Sequence, residues 1–95
     1  MPQRISDEML NDLYELFAGI DNPEDFRILL NDLCTYKEVE QMAARIAAAR
    51  LFIEGKTYTQ IKEATTISSA TLSRVSSCVQ RGEGYKKFLS SKERK

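Results

Sequence analysis

The residues from Thr57 to Val79 constrain the fold more than any other stretch of this chain, and they read TYTQIKEATTISSATLSRVSSCV. Thr57 and Gln60 have the T-x-x-Q spacing of a capping box, which predicts a helix that begins near Tyr58. A run of β-branched residues follows and predicts a turn of about three residues, because such residues have low helix propensity. Ser68 is then well placed to cap a second helix. Two short helices joined by a tight turn form a helix-turn-helix.

The apolar residues of this stretch are spaced so that both predicted helices share one core. Leu72 and Val75 lie three residues apart and Val79 lies four residues further on, so they form one stripe of the second helix. That stripe is expected to meet the apolar side chains of the first helix and of the turn. The residues predicted to point inward are Ile61, Ala64, Ile67, Leu72, Val75 and Val79.

The outer face of the second predicted helix is small and polar, and no Asp or Glu occurs from Ser68 to Arg81. A recognition helix places such side chains, near its N-terminus, against base edges in the major groove of DNA. A helical hairpin that only completes a core is the alternative, but it gives no reason for this face to lack carboxylates. The residues predicted to face bases or adjacent phosphates are Ser68, Ser69, Ala70, Thr71, Ser73 and Arg74. The residues predicted to hold the DNA backbone are Thr57, Thr59, Gln60, Lys62 and Arg81.

Two positions of the predicted helix-turn-helix depart from the usual pattern. Lys62 stands at the position where the two helices cross, which usually holds a small residue. Its ammonium group must therefore reach outward to water. Thr66 stands at the turn position usually held by glycine, so it requires either a negative φ or some backbone strain.

The charge of the chain is zero overall but is divided unevenly between its halves. Residues 1–48 carry four bases and ten acids, a net charge of −6, whereas residues 49–95 carry ten bases and four acids, a net charge of +6. The basic half contains the predicted helix-turn-helix, and its Lys and Arg side chains could neutralise DNA phosphates. A solvated basic surface without a partner is the alternative.

The rest of the chain predicts further helices and no strands, so the predicted fold is all-α with five to six helices. We expect one domain of 95 residues, in which residues 1–55 are dimerisation scaffold helices, 57–80 the helix-turn-helix and 83–95 a C-terminal helix or tail. Three amphipathic helices with N-capping residues are predicted in the scaffold. Their predicted limits are Ser6 to Gly19, Asn22 to Cys34, and Thr35 to Gly55.

The third scaffold helix is apolar on most of its sides. It carries a core stripe and, beyond that stripe, several alanines with Leu51 and Phe52. A helix of this kind must be buried on most sides, and one chain of this size can hardly enclose it. We therefore expect a homodimer in which the N-terminal helices of a second chain cover this helix.

Several classes of function are disfavoured by composition. The chain has no histidine, and its two cysteines, Cys34 and Cys78, lack metal-ligand spacing, so neither a metal site nor a disulfide is expected. Gly82 and Gly84 flank one Glu and predict a helix stop rather than a phosphate loop. We expect no enzyme activity. No apolar run of membrane-spanning length and no signal-peptide core occur, so we expect a cytoplasmic protein.

The run from Leu33 to Leu89 resembles the tryptophan-repressor superfamily, and more closely its small YerC/YecD-type branch. The most specific motifs are a T-x-x-E cap before an Ala-rich helix with Arg45, then E-G-K-T-Y, S-x-A-T-x-S-R-V and R-G-E-G-Y. The resemblance implies an intertwined helical homodimer that binds a double-stranded DNA operator through its helix-turn-helix.

The resemblance also implies a corepressor site, because the tryptophan repressor holds an indole amino acid between two arginines. The matching positions are Arg45 and Arg74, with Thr35 aligned to a further pocket residue. Val75 stands where the repressor has the glycine against which the indole packs. We therefore expect no cofactor, with a tryptophan-type corepressor as the alternative. Arg45 could instead form an ion pair with Glu38 or with an acid of a neighbouring chain.

Taken together, these patterns predict a sequence-specific DNA-binding transcriptional regulator that acts as a homodimer. A helical protein-interaction module without DNA binding is the alternative. The two differ in their response to salt, because the release of counterions makes DNA binding fall steeply as ionic strength rises.

Overall fold

A computed structural model describes residues 6–90 of the chain, and all of the regular structure in that range is helical. The prediction of an all-α fold with five to six helices is confirmed. Within this range no helix combines the length and apolar character needed to cross a membrane. The chain divides into two compact units, one up to Tyr36 and one from Lys37 onward. The helices are α1 Asp7–Ala18, α2 Pro23–Leu33, α3 Tyr36–Ile53, α4 Tyr58–Thr65, α5 Ser69–Arg81 and α6 Gly84–Leu89.

The first unit is built from α1 and α2, which begin at the predicted caps. Ser6 Oγ accepts a hydrogen bond from the Met9 amide at 3.1 Å, and Asn22 Oδ1 accepts one from the Asp25 amide at 2.8 Å. These bonds satisfy amides that a helix N-terminus leaves without a backbone partner. The rings that connect the two helices are Phe17 and Phe26, whose centroids lie 5.1 Å apart in an edge-to-face arrangement. Neither helix contains a buried residue.

The long helix α3 leaves much of its apolar surface uncovered in the single chain. Only Ala48 and Ala49 are buried along its length. Met42 and Ile46 are 38% and 43% exposed. The helix ends before Gly55, whose φ of 94° lies in the left-handed region that glycine adopts without steric cost. The single chain therefore presents the apolar surface that led us to predict a dimer.

The core of the second unit joins the C-terminal half of α3 to α4, the following turn and α5. Of the six residues predicted to point inward, four are buried and Val79 packs against them while partly buried. Ala64 is exposed, so that part of the prediction is wrong. The inner face of α4 runs instead from Ile61 to Thr65, which is partly buried and donates its hydroxyl to the Ile61 carbonyl at 2.8 Å. The buried core residues are Ala48, Ala49, Ile61, Ile67, Leu72 and Val75.

Candidate nucleic-acid interface

The helix α4 begins with the capping box that the sequence predicts. Thr57 Oγ1 accepts a hydrogen bond from the Gln60 amide at 3.1 Å, and Gln60 Oε1 accepts one from the Thr57 amide at 2.9 Å. Both residues are exposed, as is Thr59. Two of the unpaired amides at the start of the helix are satisfied in this way, which fixes the first helix of the motif at its N-terminus.

The turn between α4 and α5 contains a residue in the left-handed conformation. Thr66 has φ 57° and ψ 19°, and its amide donates to the Lys62 carbonyl at 2.9 Å. The sequence left open either a negative φ or some backbone strain at Thr66, and the structure shows a positive φ, which is the strained alternative. A β-branched residue is costly here, because its Cβ lies close to the following carbonyl oxygen.

Replacing Thr66 with glycine should therefore stabilise the protein. We expect a gain of about 0.5–1 kcal/mol in the free energy of unfolding, since relief of the left-handed strain exceeds the entropy that glycine loses on folding. Urea unfolding followed by circular dichroism would measure the change. Thr65→Gly is the matched control and should destabilise the protein, because Thr65 lies in α4. A loss of stability in Thr66→Gly would contradict this interpretation of the turn.

The second helix of the motif, α5, begins at Ser68 as predicted. Ser68 Oγ accepts a hydrogen bond from the Thr71 amide at 3.1 Å and donates one to Thr71 Oγ1 at 3.0 Å. Two of the residues predicted to face DNA are thus joined in the cap of the helix. Their local role is to begin the helix, and contact with DNA stays a prediction for both.

Two further serines of α5 are held by side chains of α4. Lys62 Nζ donates to Ser69 Oγ at 2.6 Å, and the Tyr58 hydroxyl donates to Ser73 Oγ at 3.2 Å. Lys62 points away from the core, as its position required. The Tyr58 ring packs edge-to-face on Phe52, with the ring centroids 5.6 Å apart. The predicted DNA-contacting residues did not include Tyr58. Its spacing of four residues from Lys62, which places both on one side of α4, could have indicated that it belongs to the same surface.

The remaining predicted DNA-contacting residues are exposed. Ala70 and Arg74 lie on α5, and Arg81 lies in its last turn. Exposed lysines accompany them before α4 and in α6. Lys86 Nζ donates to the Gln80 carbonyl at 3.0 Å, and Lys87 Nζ lies 5.4 Å from the centroid of the Phe88 ring. Basic side chains thus occur along α5 and α6, and α5 contains no Asp or Glu that would offset their charge.

A cavity of about 520 Å³ lies between α3, α5 and α6. It brings together Arg45 of α3 and Arg74 of α5, the two arginines that the resemblance places in a ligand site. Val75, which is 2% exposed, also lines it. Thr35 immediately precedes α3, and its part in a ligand site stays a prediction. The other lining residues are Ile46, Cys78, Gly82, Gly84, Tyr85, Phe88 and Leu89.

A capped short helix, a left-handed turn and a second helix with a polar outer face, all packed on one core, define this chain as a helix-turn-helix protein. The chain belongs to the Trp repressor protein family, whose model matches residues 8–93. The predicted membership of the tryptophan-repressor superfamily is thereby confirmed.

Individual relatives agree with this assignment. The chain is 36% identical over 73 residues to the uncharacterized protein YerC of Bacillus subtilis (strain 168), a match that covers 77% of this chain and 70% of YerC. It is also similar to a crystal structure from Staphylococcus aureus, described as that of a "putative Trp repressor", with a TM-score of 0.84 and 29% identity. The structural match covers 90% of this chain and 86% of the Staphylococcus aureus chain.

Proposed function

We propose that this protein is a sequence-specific transcriptional regulator, a repressor, that binds a double-stranded DNA operator as a homodimer in the cytoplasm. The family is one of DNA-binding regulators rather than enzymes, which supports the class of function. The observation that carries the proposal is the outer face of α5. It presents Ser69, Ala70, Ser73 and Arg74 to solvent, and no carboxylate occurs along the helix to repel phosphates.

The proposed dimer is supported by apolar side chains that the single chain leaves exposed. In the first unit, α1 and α2 have no buried residues. In the second unit, α3 leaves Met42 and Ile46 accessible. A second copy of the chain that covers these helices would remove apolar area from water, the main source of stability in obligate dimers. The exposed large apolar side chains of α1 and α2 are Met9, Leu13, Tyr14, Leu16, Ile28 and Leu33.

Selection of bound fragments from a random DNA pool tests the proposal directly. A two-fold dimer should enrich a palindrome whose half-sites lie about ten base pairs apart, since its two recognition helices would enter successive major grooves. Sedimentation should give twice the mass of the chain. Absence of enrichment would exclude sequence-specific binding, and a monomer would exclude the dimer.

A salt series separates DNA binding from the alternative of a protein-interaction module. For DNA, the logarithm of the affinity should fall linearly with the logarithm of the salt concentration, with a slope of about −0.9 per neutralised phosphate. A protein partner captured through apolar contacts would show little dependence on salt. The exposed Lys and Arg side chains of α5 and α6 support a steep dependence on salt, as expected for DNA binding.

We expect tryptophan to leave the operator affinity unchanged. Arg45 and Arg74 line one cavity and could hold a carboxylate, but Val75 fits an indole ring poorly. Its branched side chain stands where the family resemblance places a glycine, and it is buried as part of the helix-turn-helix core. Titration of the protein with operator DNA, with and without saturating tryptophan, measures the effect. Tighter binding in the presence of tryptophan would show that the cavity admits the indole ring.

A further inference from the structure

We infer that Ser69 and Ser73 contact DNA bases as hydrogen-bond donors, because Lys62 and Tyr58 donate to their oxygens from the other helix of the motif. The operator should then present acceptors at the two matching positions. In the major groove these acceptors are N7 of either purine, O6 of guanine and O4 of thymine. The inference rests on the proposed DNA-binding function and deepens it by assigning the hydrogen-bonding character of two contacts.

The two contacts form a regular pair between α4 and α5. Tyr58 and Lys62 are four residues apart on α4, and Ser69 and Ser73 are four residues apart on α5. Tyr58 reaches Ser73 and Lys62 reaches Ser69, so the helices are joined twice along one line. Residues with this spacing share one side of a helix, so both serines are presented on the same side of α5.

The direction of each hydrogen bond follows from the chemistry of its donor. The ammonium group of Lys62 has three donors and no acceptor, so Ser69 Oγ must accept. The phenol of Tyr58 is more acidic than an aliphatic alcohol and is the better donor of the pair, so Ser73 Oγ accepts. A hydroxyl group has one proton to donate, and because both serines are exposed and accept from α4, each can donate that proton to a DNA base.

Accepting these bonds makes each serine a stronger donor and a weaker acceptor. The bond from Lys62 is charge-assisted and short, at 2.6 Å, so it withdraws electron density from the Ser69 oxygen. Hydrogen bonds in a chain polarise one another in the same direction. The exposed amino group of cytosine, a donor, is therefore a poor partner for either serine, whereas a purine N7 is a good one.

The spacing of the serines also sets the spacing of the bases. Four residues of α-helix span about 6 Å, and successive base pairs are about 3.4 Å apart. A recognition helix lying in the major groove then places the two contacts about two base pairs apart. Tyr58 keeps its position because its ring is packed against Phe52, so it acts as a positioning residue for Ser73 rather than as a DNA contact.

Binding measurements with single-position operator variants test the inference. Tyr58→Phe keeps the ring on Phe52 and removes only the hydroxyl. It should lower the preference for a purine over cytosine by about fivefold at one base pair and leave the other positions unchanged. Lys62→Met should do the same at a second position, about two base pairs away, in addition to a general loss of affinity. Lys56→Met is the matched control, a nearby exposed lysine that should lower affinity evenly at all positions.

A double-mutant cycle separates this role from a general effect on folding. In a Ser73→Ala background, Tyr58→Phe should cause no further loss of preference, because the group that it positions is absent. Replacing the matching purine by its 7-deaza analogue should weaken the wild type about fivefold and leave Ser73→Ala unaffected.

The outcomes also distinguish the inference from the proposed function. A wild-type protein that binds the operator, with unchanged preference in Tyr58→Phe and Lys62→Met, would overturn the donor assignment and leave the regulator intact. The same would follow if Tyr58→Phe had equal effects with and without the Ser73 hydroxyl. A wild-type protein that selects no operator would overturn both.

Discussion

Replacing Arg74 with alanine should weaken operator binding by about 10- to 100-fold and relax the preference at one base pair. Arg74 is exposed on α5, close in sequence to the small residues that would let this helix approach the groove closely. A bidentate contact to O6 and N7 of guanine is the most common use of arginine at such a position. Competition binding with operators substituted at each position would measure both changes.

Arg81→Ala is the matched control for this experiment. Arg81 is the same residue type on the same helix, two turns further on, and is predicted to hold the DNA backbone. Its loss should lower affinity about equally for all sequences and reduce the salt slope by about one. If Arg74→Ala behaved in the same way, Arg74 would be a phosphate contact. If it changed neither affinity nor preference, the assignment of the recognition face would be wrong.

Replacing Leu72 with alanine should lower the free energy of unfolding by about 2–5 kcal/mol. Leu72 is fully buried at the point where α5 meets α4 and the alanines of α3, so truncation leaves a cavity that the surrounding backbone can fill only in part. A small domain has a total stability of about 5–15 kcal/mol, so the loss would be a large fraction of it. Urea unfolding, with the slope compared between variants, would measure the change.

Leu72→Met separates the loss of volume from the loss of this particular side chain. Methionine is apolar and of similar volume, so it should cost less than about 1.5 kcal/mol. In both variants operator affinity should fall only as far as the folded fraction falls, since Leu72 has no exposed surface with which to contact DNA. Equal destabilisation by alanine and methionine would show that the site depends on the shape of leucine and not on filled volume.

The helix limits could be predicted from sequence because the interactions that set them are local. The capping bonds of Ser6, Asn22, Thr57 and Ser68 each join residues three positions apart, so the pattern is visible in the chain itself. The burial of Leu72 and Val75 was predictable for a similar reason, since their spacing of three residues places them on one face of α5.

The errors and omissions concern contacts between helices. Ala64 and Thr65 are adjacent on a helix of eight residues, and which of them faces inward depends on how α4 packs on the rest of the unit. The hydrogen bond between Tyr58 and Ser73 joins residues fifteen positions apart, so no local pattern predicts it. The resemblance did bring together two residues of different helices in advance, Arg45 and Arg74, and both line the same cavity.

The two buried alanines of α3 bear on which spacing between operator half-sites the proposed dimer would accept. Ala48 and Ala49 are fully buried in the core that α4 and α5 share, and because they carry no atoms beyond Cβ, they allow a close approach to α3. A tilt of α4 and α5 about these alanines would separate side chains that are buried together in the core. In the proposed dimer this packing would hold the distance between the two recognition helices within narrow limits. Such a protein would distinguish operators by the distance between half-sites as well as by the bases within them.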